Sequence, residues 1–266
     1  MCIIVIFLQV VLPLVFLLIC HLYQYLVTSY ILTFILYLQK QAIIILDLDL
    51  LEHLQSFLTD RRKETFESVL SKRTRHFTVV TEDVYQLHNT SAVMRSCDVF
   101  GIQDLSIVEQ ANAKSIDKEI AMGAQKWVNL HRYNTVDTCI DTLKSQGYQI
   151  VATSPHHQSV ALHDFDVTKK SAFFFGTERD GLSKTVLDQA GVSLKIPMYG
   201  FTESLNISVS AAIILQYVVT KLKQSDVDWS LTPDQKNILR ILWAKKTIRS
   251  VDDIIARFYL KHPKQQ

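Results

Sequence analysis

The sequence predicts an α/β fold with a mostly parallel sheet. Between residues 76 and 222, short runs rich in Val, Ile and Phe alternate with amphipathic segments, and single glycines such as Gly101 and Gly147 separate them. Parallel neighbouring strands need a crossover connection, and a strand-helix alternation with short links supplies it. No repeat or low-complexity tract interrupts the pattern after residue 46.

Each predicted strand is a short run of β-branched or aromatic residues, and each predicted helix has apolar residues at three- and four-residue spacing. The predicted strands are residues 76–82, 104–109, 127–130, 149–153, 172–176 and 192–196. The predicted helices are residues 47–71, 91–100, 136–145, 183–190 and 205–222, followed in the tail by 233–243 and 251–259.

The apolar N-terminus differs from the rest of the chain, because Lys40 is its only charged residue. It is long enough for a membrane span of about 20 residues, but it lacks the positive start and the cleavage site of a secretory signal. We expect a start-site artefact, with a membrane-spanning segment as the alternative. The predicted divisions are this segment at 1–46, a basic helical extension at 47–76, the α/β domain at 77–224 and a helical tail at 225–266.

Basic residues flank a mildly acidic middle. Residues 61–76 contain six Lys or Arg and two acids, residues 221–266 contain ten and five, and residues 77–220 contain eleven and fifteen. This distribution suits a polyanion that lies across the domain, although solvated helix faces explain the same counts. The candidate phosphate contacts are Arg61, Arg62, Arg73, Arg75, Lys245, Lys246 and Arg249.

Metal chemistry is not expected from the cysteines or histidines. The four cysteines have no metal-ligand spacing and indicate free thiols in a reducing, cytoplasmic compartment. His156, His157 and His163 form the nearest approach to a ligand cluster, but no Cys or paired carboxylate stands at a supporting spacing. We therefore predict no metal site.

The first motif, residues 88–101, begins His-Asn-Thr-Ser and places Asn89 at a predicted strand-to-helix corner. An Asn at such a corner is expected to cap the helix, and Arg95 follows six residues later. Taken alone, these residues are a cap and a surface ion-pairing group.

The second motif, residues 173–182, is a buried strand that runs into Gly176-x-Glu178-x-x-Gly181. The two glycines let the backbone approach a ligand closely, and Glu178 can accept hydrogen bonds. Taken alone, the motif is a tight turn with an exposed acid.

The third motif, residues 196–210, reads Ile-Pro-Met-Tyr-Gly-Phe-Thr-Glu-Ser-Leu-Asn-Ile-Ser-Val-Ser. A strand ends at Pro197, Gly200 allows a turn, and Ser204 and Asn206 precede a long apolar helix. Backbone N–H groups, hydroxyls and an amide therefore meet at a helix start, which is a suitable place to hold a polar ligand.

In this order, the three motifs resemble those of the SPOUT methyltransferases, specifically the SpoU or TrmH family of RNA ribose 2′-O-methyltransferases. The resemblance covers about residues 61–222 and implies a C-terminal deep trefoil knot, S-adenosylmethionine as cofactor and a homodimer packed through the knot regions. The sequence contains no Gly-x-Gly-x-x-Gly loop, and this counts against a Rossmann-type methyltransferase. By resemblance, the cofactor-binding residues are Thr153, Gly176, Glu178, Gly181, Ile196, Met198, Ser204 and Leu205.

The resemblance also implies catalytic roles. Arg95 is expected either to activate the ribose 2′-hydroxyl or to grip a phosphate and orient the ribose, in its own subunit or in the partner. Because arginine side chains stay protonated in proteins, positioning is the simpler role. The other residues implied in catalysis are Asn89, Glu178, Ser204 and Asn206.

The resemblance implies guanosine 18 in the D-loop of tRNA as the substrate, because only short helices flank the catalytic domain, as in the compact members of the family that modify this nucleotide. The rRNA-modifying relatives usually carry a separate N-terminal RNA-binding domain, and residues 47–76 are too few for one. Two alternatives stay open. One is 2′-O-methylation of 23S rRNA or another tRNA nucleotide, since the motifs handle cofactor and ribose rather than sequence. The other is a non-catalytic RNA-binding or membrane-tethered module.

Overall fold

The computed structural model describes residues 48–84, 87–109, 116–155, 159–177 and 179–262. The expectations for residues 1–46, for His156 and His157, and for Glu178 lie outside these ranges. None of the helices in the described ranges has both the length and the apolar character needed to cross a membrane. The chain forms two compact units, of which one includes residues 48–57 and 249–262 and the other is residues 58–248.

The larger unit is built on a parallel sheet. Within the described residues its strands follow the order β3-β2-β1-β6-β4-β7-β5, and every neighbouring pair is parallel. Because the strands are parallel, their carboxyl ends lie along one edge, where the three motifs begin. The strands are β1 Phe77–Glu82, β2 Asp104–Val108, β3 Asn129–Tyr133, β4 Gln149–Thr153, β5 Val160–Ala161, β6 Ser171–Phe175 and β7 Val192–Lys195.

Helices cover both faces of the sheet, which confirms the predicted class. In the described residues, the helices of the larger unit are α1 Asp60–Leu70, α2 Leu87–Phe100, α3 Lys118–Ala121, α4 Val136–Ser145, α5 Lys184–Gln189, α6 Ile207–Lys223 and α7 Pro233–Thr247, and the smaller unit contains α8 Val251–Lys261. Phe173 and Phe175 pack with α2 and α6 on one face, whereas Phe174 packs with α4 and α5 on the other. Successive strand residues point to opposite faces, so a continuous apolar run is the expected sequence of a strand covered on both sides.

Two predicted boundaries are wrong. The predicted helix over 47–71 is interrupted at 56–59, because Thr59 caps α1 by accepting a hydrogen bond from Arg62 N. The strand predicted at 127–130 lies at Asn129–Tyr133 instead. A 3₁₀ turn at Ala124–Lys126 precedes it and directs the Trp127 ring towards Phe66 and Trp243.

An aromatic cluster joins α1 and α7 to the body of the larger unit. The rings of Phe66, Trp127 and Trp243 meet edge-on, with centroids 5.4 to 5.9 Å apart. Arg240 adds a two-point contact, because its Nε and Nη2 donate to the two carboxylate oxygens of Glu67 at 2.7 and 2.6 Å. The flanking helices α1 and α7 thus pack on the same unit as the sheet, while the domain boundaries at residues 76 and 224 stay predictions.

The smaller unit contains a helical segment at 48–55 and α8. The ring of His53 stacks on Phe258 at 5.1 Å, and His262 stacks on Phe258 at 4.5 Å. These stacked rings hold the two helical segments of the unit together.

Asp104 is the centre of a polar network at the amino edge of the sheet. Its carboxylate accepts hydrogen bonds from Arg75 Nε at 2.8 Å and Asn129 Nδ2 at 2.9 Å, and it lies 3.1 Å from His131 Nε2. Burial raises the pKa of Asp104, but the hydrogen bond with His131 and the charge of Arg75 outweigh burial. The pKa of Asp104 in the folded protein is therefore lowered.

We expect ionised Asp104 to stabilise the fold at neutral pH and to lose this contribution in acid. The folded pKa lies below the unfolded value of about 3.9, so the contribution is complete above that value and disappears as the pH falls through the folded pKa. Chemical denaturation at several pH values measures the effect. The free energy of unfolding should decline more steeply with acidification in the wild type than in Asp104→Asn, and identical profiles would contradict the assignment.

Candidate active site

A cavity of about 410 Å³ opens at the carboxyl edge of the sheet. Its walls come from the ends of β4 and β6, the loop before α5, and the segment between β7 and α6. This volume falls in the usual range for small-molecule sites. Seven of the eight residues predicted to bind a cofactor line it, and the eighth, Glu178, is outside the described residues. The seven are Thr153, Gly176, Gly181, Ile196, Met198, Ser204 and Leu205.

The second motif forms a tight loop that closes on itself. Thr177 N donates to Gly181 O at 2.8 Å, and Gly181 N donates back to Thr177 O at 3.1 Å. A Cβ atom on Gly176 would lie 2.1 Å from Gly181 O, so only glycine fits there. Gly181 has φ +71°, in the left-handed region. The two glycines therefore bring backbone close to backbone and form one wall of the cavity.

Glu82 holds the far end of this loop and was missed by sequence reasoning. It is the last residue of β1, it is buried, and its Oε2 accepts a hydrogen bond from Ser183 N at 2.9 Å. Ser183 in turn caps α5 by accepting from Val186 N. A carboxylate at the end of an otherwise uncharged strand was the available signal.

The first and third motifs meet through two side-chain amides. Asn206 Nδ2 donates to Asn89 Oδ1 at 3.1 Å, and Asn89 is buried. The expectation that Asn89 caps its helix is wrong, because α2 begins at Leu87 and places Asn89 inside the first turn. Asn206 is the residue that caps, since its Oδ1 accepts from the backbone N of Ser208 at 2.8 Å at the start of α6.

Replacement of Asn206 separates its two contacts. Asn206→Ala should lower the free energy of unfolding by about 1–2 kcal/mol, because α6 loses its cap and Asn89 loses a donor. Asn206→Asp keeps the capping oxygen and should recover part of that loss. Urea denaturation of the three proteins measures this order. The capping role would be refuted if the alanine variant had the same free energy of unfolding as the wild type. It would also be refuted if the aspartate variant were no more stable than the alanine variant.

Arg95 lies on α2, six residues and about 9 Å of helix rise beyond Asn89. Its side chain is exposed and is not part of the cavity lining. In the part of the chain that the structure describes, no carboxylate forms an ion pair with it. Among the described residues, no carboxylate therefore competes for the guanidinium group with a ligand that approaches from outside the cavity.

Four charged or polar residues of the cavity lining were missed from the sequence. Glu203 and Arg179 line the cavity, and Ser154 follows β4 with its N–H donating to Leu194 O at 2.9 Å. Lys195, at the end of β7, lines it as well. These residues lie at strand ends or inside the second and third motifs, which was the only signal in the sequence.

The prediction that Arg73 contacts an RNA phosphate is wrong, because the side chain is buried. Its side chain is 1 % exposed, it pairs through Nη2 with Asp98, and Nη1 donates to Ile102 O at 3.2 Å. The guanidinium also lies 5.7 Å from the ring centroid of Trp243. It serves the interior of the fold and does not reach an RNA backbone on the surface.

The other predicted phosphate contacts are spread over the surface. Arg75 is half-buried and bonded to Asp104, whereas the remaining side chains are exposed. Lys246 Nζ donates to Gln125 O at 3.4 Å, and burial lowers the pKa of Lys246. The exposed residues are Arg61, Arg62, Lys245 and Lys246 in the larger unit, and Arg249 in the smaller one.

The amino-acid sequence of residues 76–216 matches the SpoU rRNA Methylase family. The chain belongs to this family. The match spans all three motifs and thereby the whole lining of the cavity, which confirms the resemblance seen in the sequence.

Relatives within the SpoU family include enzymes named for tRNA. The chain is 39% identical over 197 residues to the tRNA (guanosine(18)-2′-O)-methyltransferase of Borreliella burgdorferi, covering 74% of this chain and 90% of that enzyme. It is 35% identical to the enzyme of the same name from Thermus thermophilus, over 59% of this chain and 81% of that one. The crystal structure of the Aquifex aeolicus TrmH/SpoU tRNA modifying enzyme superposes with a TM-score of 0.66, at 30% identity, covering 71% of this chain and 98% of that one.

The described part of this SpoU-family chain contains no cluster of three metal-ligating side chains. Cys97 and Cys139 are free and buried. Burial raises the pKa of the Cys97 thiol above its ordinary value and that of Cys139 to about 12. Both thiols are therefore packing groups rather than nucleophiles.

Proposed function

We propose that this protein transfers a methyl group from S-adenosylmethionine to the ribose 2′-hydroxyl of guanosine 18 in tRNA. The observation that carries the proposal is one cavity whose walls come from the second and third motifs, with the first motif tied to them by the Asn89–Asn206 hydrogen bond. This site lies in a chain that covers 90% of a tRNA (guanosine(18)-2′-O)-methyltransferase at 39% identity.

The lining of the cavity fits S-adenosylmethionine. Ile196, Met198 and Leu205 offer apolar contact for the adenine, and the loop from Gly176 to Gly181 offers backbone N–H and C=O groups at close range. Ser204 adds a hydroxyl to the lining. When bound, the cofactor supplies a sulfonium methyl group as the electrophile. A C-terminal deep trefoil knot is part of this proposal and is implied by the family.

The protein contributes position rather than a strong base. We assign to Arg95 the binding of a phosphate next to the target nucleotide and the orientation of its ribose, because an arginine stays protonated and here faces solvent. The proton of the hydroxyl then passes to water. Asn89 and Asn206 keep the corner between α2 and α6 in a fixed shape, and alignment of this kind supplies much of the rate of a transfer reaction. The role of Glu178 stays a prediction.

A homodimer is part of the proposal. Beside the cavity, Tyr199 and Phe201 are 96 % and 108 % exposed, and Leu205, Val209 and Ile213 continue an exposed apolar surface along α6. Monomers rarely leave such a surface uncovered, and a second copy of this chain would cover it. Arg95 of one subunit would then serve the site of its partner or its own. We also propose a cytoplasmic location, since the proposed substrate is tRNA.

Incubation with S-adenosylmethionine and undermodified total RNA, followed by mapping of the methylated nucleotides, tests the function. We expect one 2′-O-methylguanosine at position 18 of tRNA. If only 23S rRNA or only another tRNA nucleotide is methylated, the assignment to guanosine 18 is wrong. If no RNA is methylated, a non-catalytic binding module is favoured.

A further inference from the structure

A second cavity, of about 320 Å³, lies between the C-terminal ends of α2 and α6. Val99 lines it, and Val99 is exposed one helical turn after Arg95, which is exposed as well. Residues four apart share one side of a helix, so the cavity opens on the side of α2 that carries Arg95. Nothing in the proposed reaction uses it.

The fold constructs one wall of this cavity rigidly. Gly101 ends α2 with φ +78°, and a Cβ atom there would lie 2.5 Å from Lys72 O, so the segment of Lys72 and Arg73 packs directly on the glycine. Thr74 N donates to Gly101 O at 2.9 Å, and Gln103 N donates to Thr74 O at 3.1 Å. The side chains of Lys72 and Arg73 are therefore carried by a fixed backbone.

Positive charge exceeds negative charge around the cavity. Lys72, Arg73 and Lys223 line it together with one carboxylate, Asp98, and Arg73 pairs with that carboxylate. In the described ranges, neither lysine has a carboxylate partner. Burial lowers the pKa of Lys223, and the charge of Lys72 lowers it further, which indicates that the two ammonium groups repel each other.

The positions of the two lysines are not explained by the fold alone. Lysines near the C-terminal end of a helix offset its negative end, and this explains Lys223 on α6. It does not explain Lys72, which precedes β1. An anion between the two lysines would offset their repulsion.

We propose that this second cavity binds a backbone phosphate of the RNA substrate other than the one assigned to Arg95. The inference rests on the proposed function. Asp98 lies about 4.5 Å of helix rise beyond Arg95, on the side of α2 away from Asn89. The phosphate in the second cavity is therefore farther from the methylated ribose than the phosphate bound by Arg95. Lys72 and Lys223 contact this more distant phosphate, and Gln216 and Thr220 line the same cavity.

Binding of fluorescently labelled tRNA without S-adenosylmethionine, at several salt concentrations, tests the site. Neutralisation of one phosphate contributes about 0.7–0.9 to the slope of log affinity against log salt. The Lys72→Ala/Lys223→Ala variant should lose that amount. Between 50 and 200 mM salt, the factor by which its affinity falls should be roughly threefold smaller than the factor for the wild type. Its affinity for S-adenosylmethionine should not change.

Lys144→Ala is the matched control, because it removes an exposed lysine from α4 on the opposite face of the sheet. Its slope should equal that of the wild type, and Lys223→Ala should lose about half of the effect. An unchanged slope in the double variant, or an equal loss in Lys144→Ala, overturns the site. Inorganic phosphate could also bind the wild type but not the double variant while the salt slopes for tRNA stay equal. That result would assign the cavity to free phosphate and would overturn the proposal of an RNA phosphate. Methyl transfer to guanosine 18 is measured in a separate assay. If it fails, the proposed function is wrong, but the salt slopes for tRNA binding still test the phosphate site.

Discussion

Replacement of Arg95 by lysine is expected to lower kcat for methyl transfer on the order of 100-fold while S-adenosylmethionine binds as in the wild type. Arg95 is exposed on α2 and outside the cavity lining, so its loss leaves the cofactor site intact. Lysine keeps the charge but loses the planar, two-point contact that orients a phosphate. The test combines calorimetric titration of the cofactor with single-turnover rates at saturating tRNA.

Arg257→Lys serves as the control for Arg95→Lys. Arg257 is exposed on α8, in the smaller unit, and the same change there should leave both measurements unaltered. Near-normal turnover of Arg95→Lys would refute a role that depends on the guanidinium group. Loss of cofactor binding in that variant would show that the two sites are not separate.

Replacement of Gly176 by alanine is expected to weaken S-adenosylmethionine binding by at least about 100-fold. The new Cβ atom would stand 2.1 Å from Gly181 O and 2.4 Å from Leu182 N, distances at which the backbone must move. Movement on the order of 1 Å breaks the paired hydrogen bonds between Thr177 and Gly181 and shifts a wall of the cavity, and displacement of this size is costly in a preorganised site.

Gly191→Ala is the matched control for Gly176→Ala. Gly191 precedes β7, has no left-handed φ, and a Cβ atom there would lie 4.0 Å from Ile150 O, an ordinary contact. Cofactor affinity by calorimetry and thermal unfolding by circular dichroism should be measured for both variants. Wild-type affinity in Gly176→Ala would contradict the close-approach role, and a folded variant that does not bind would support it.

Local pattern was sufficient to predict most of the sheet. Phe173 to Phe175 form a continuous apolar run because helices cover both faces of β6, and such runs are readable from sequence. The two-residue strand Val160–Ala161 was missed, since a strand that short has no period. The displaced β3 had a tertiary cause, because Trp127 packs with Phe66 and Trp243 instead of entering the sheet.

The parts of the site that depend on one short segment of backbone could be predicted from the sequence. The contacts between segments far apart in the chain could not. Gly176 and Gly181 belong to one short loop, so their spacing indicated a close approach. The hydrogen bond between Asn89 and Asn206 joins residues 117 positions apart, and no local pattern places them together. Arg73 stands in a basic stretch, which predicts an exposed side chain. It is buried instead, because its backbone packs on Gly101 and its guanidinium pairs with Asp98.

The proposed reaction transfers the methyl group to one ribose hydroxyl, that of guanosine 18. Two otherwise identical tRNA transcripts distinguish this hydroxyl from every other acceptor, one with guanosine and one with 2′-deoxyguanosine at position 18. Each is incubated with enzyme and S-adenosylmethionine labelled in the methyl group. We expect about one methyl group per molecule of the first transcript and none on the second. Equal labelling of both transcripts, or label on a base, would refute methylation of this hydroxyl.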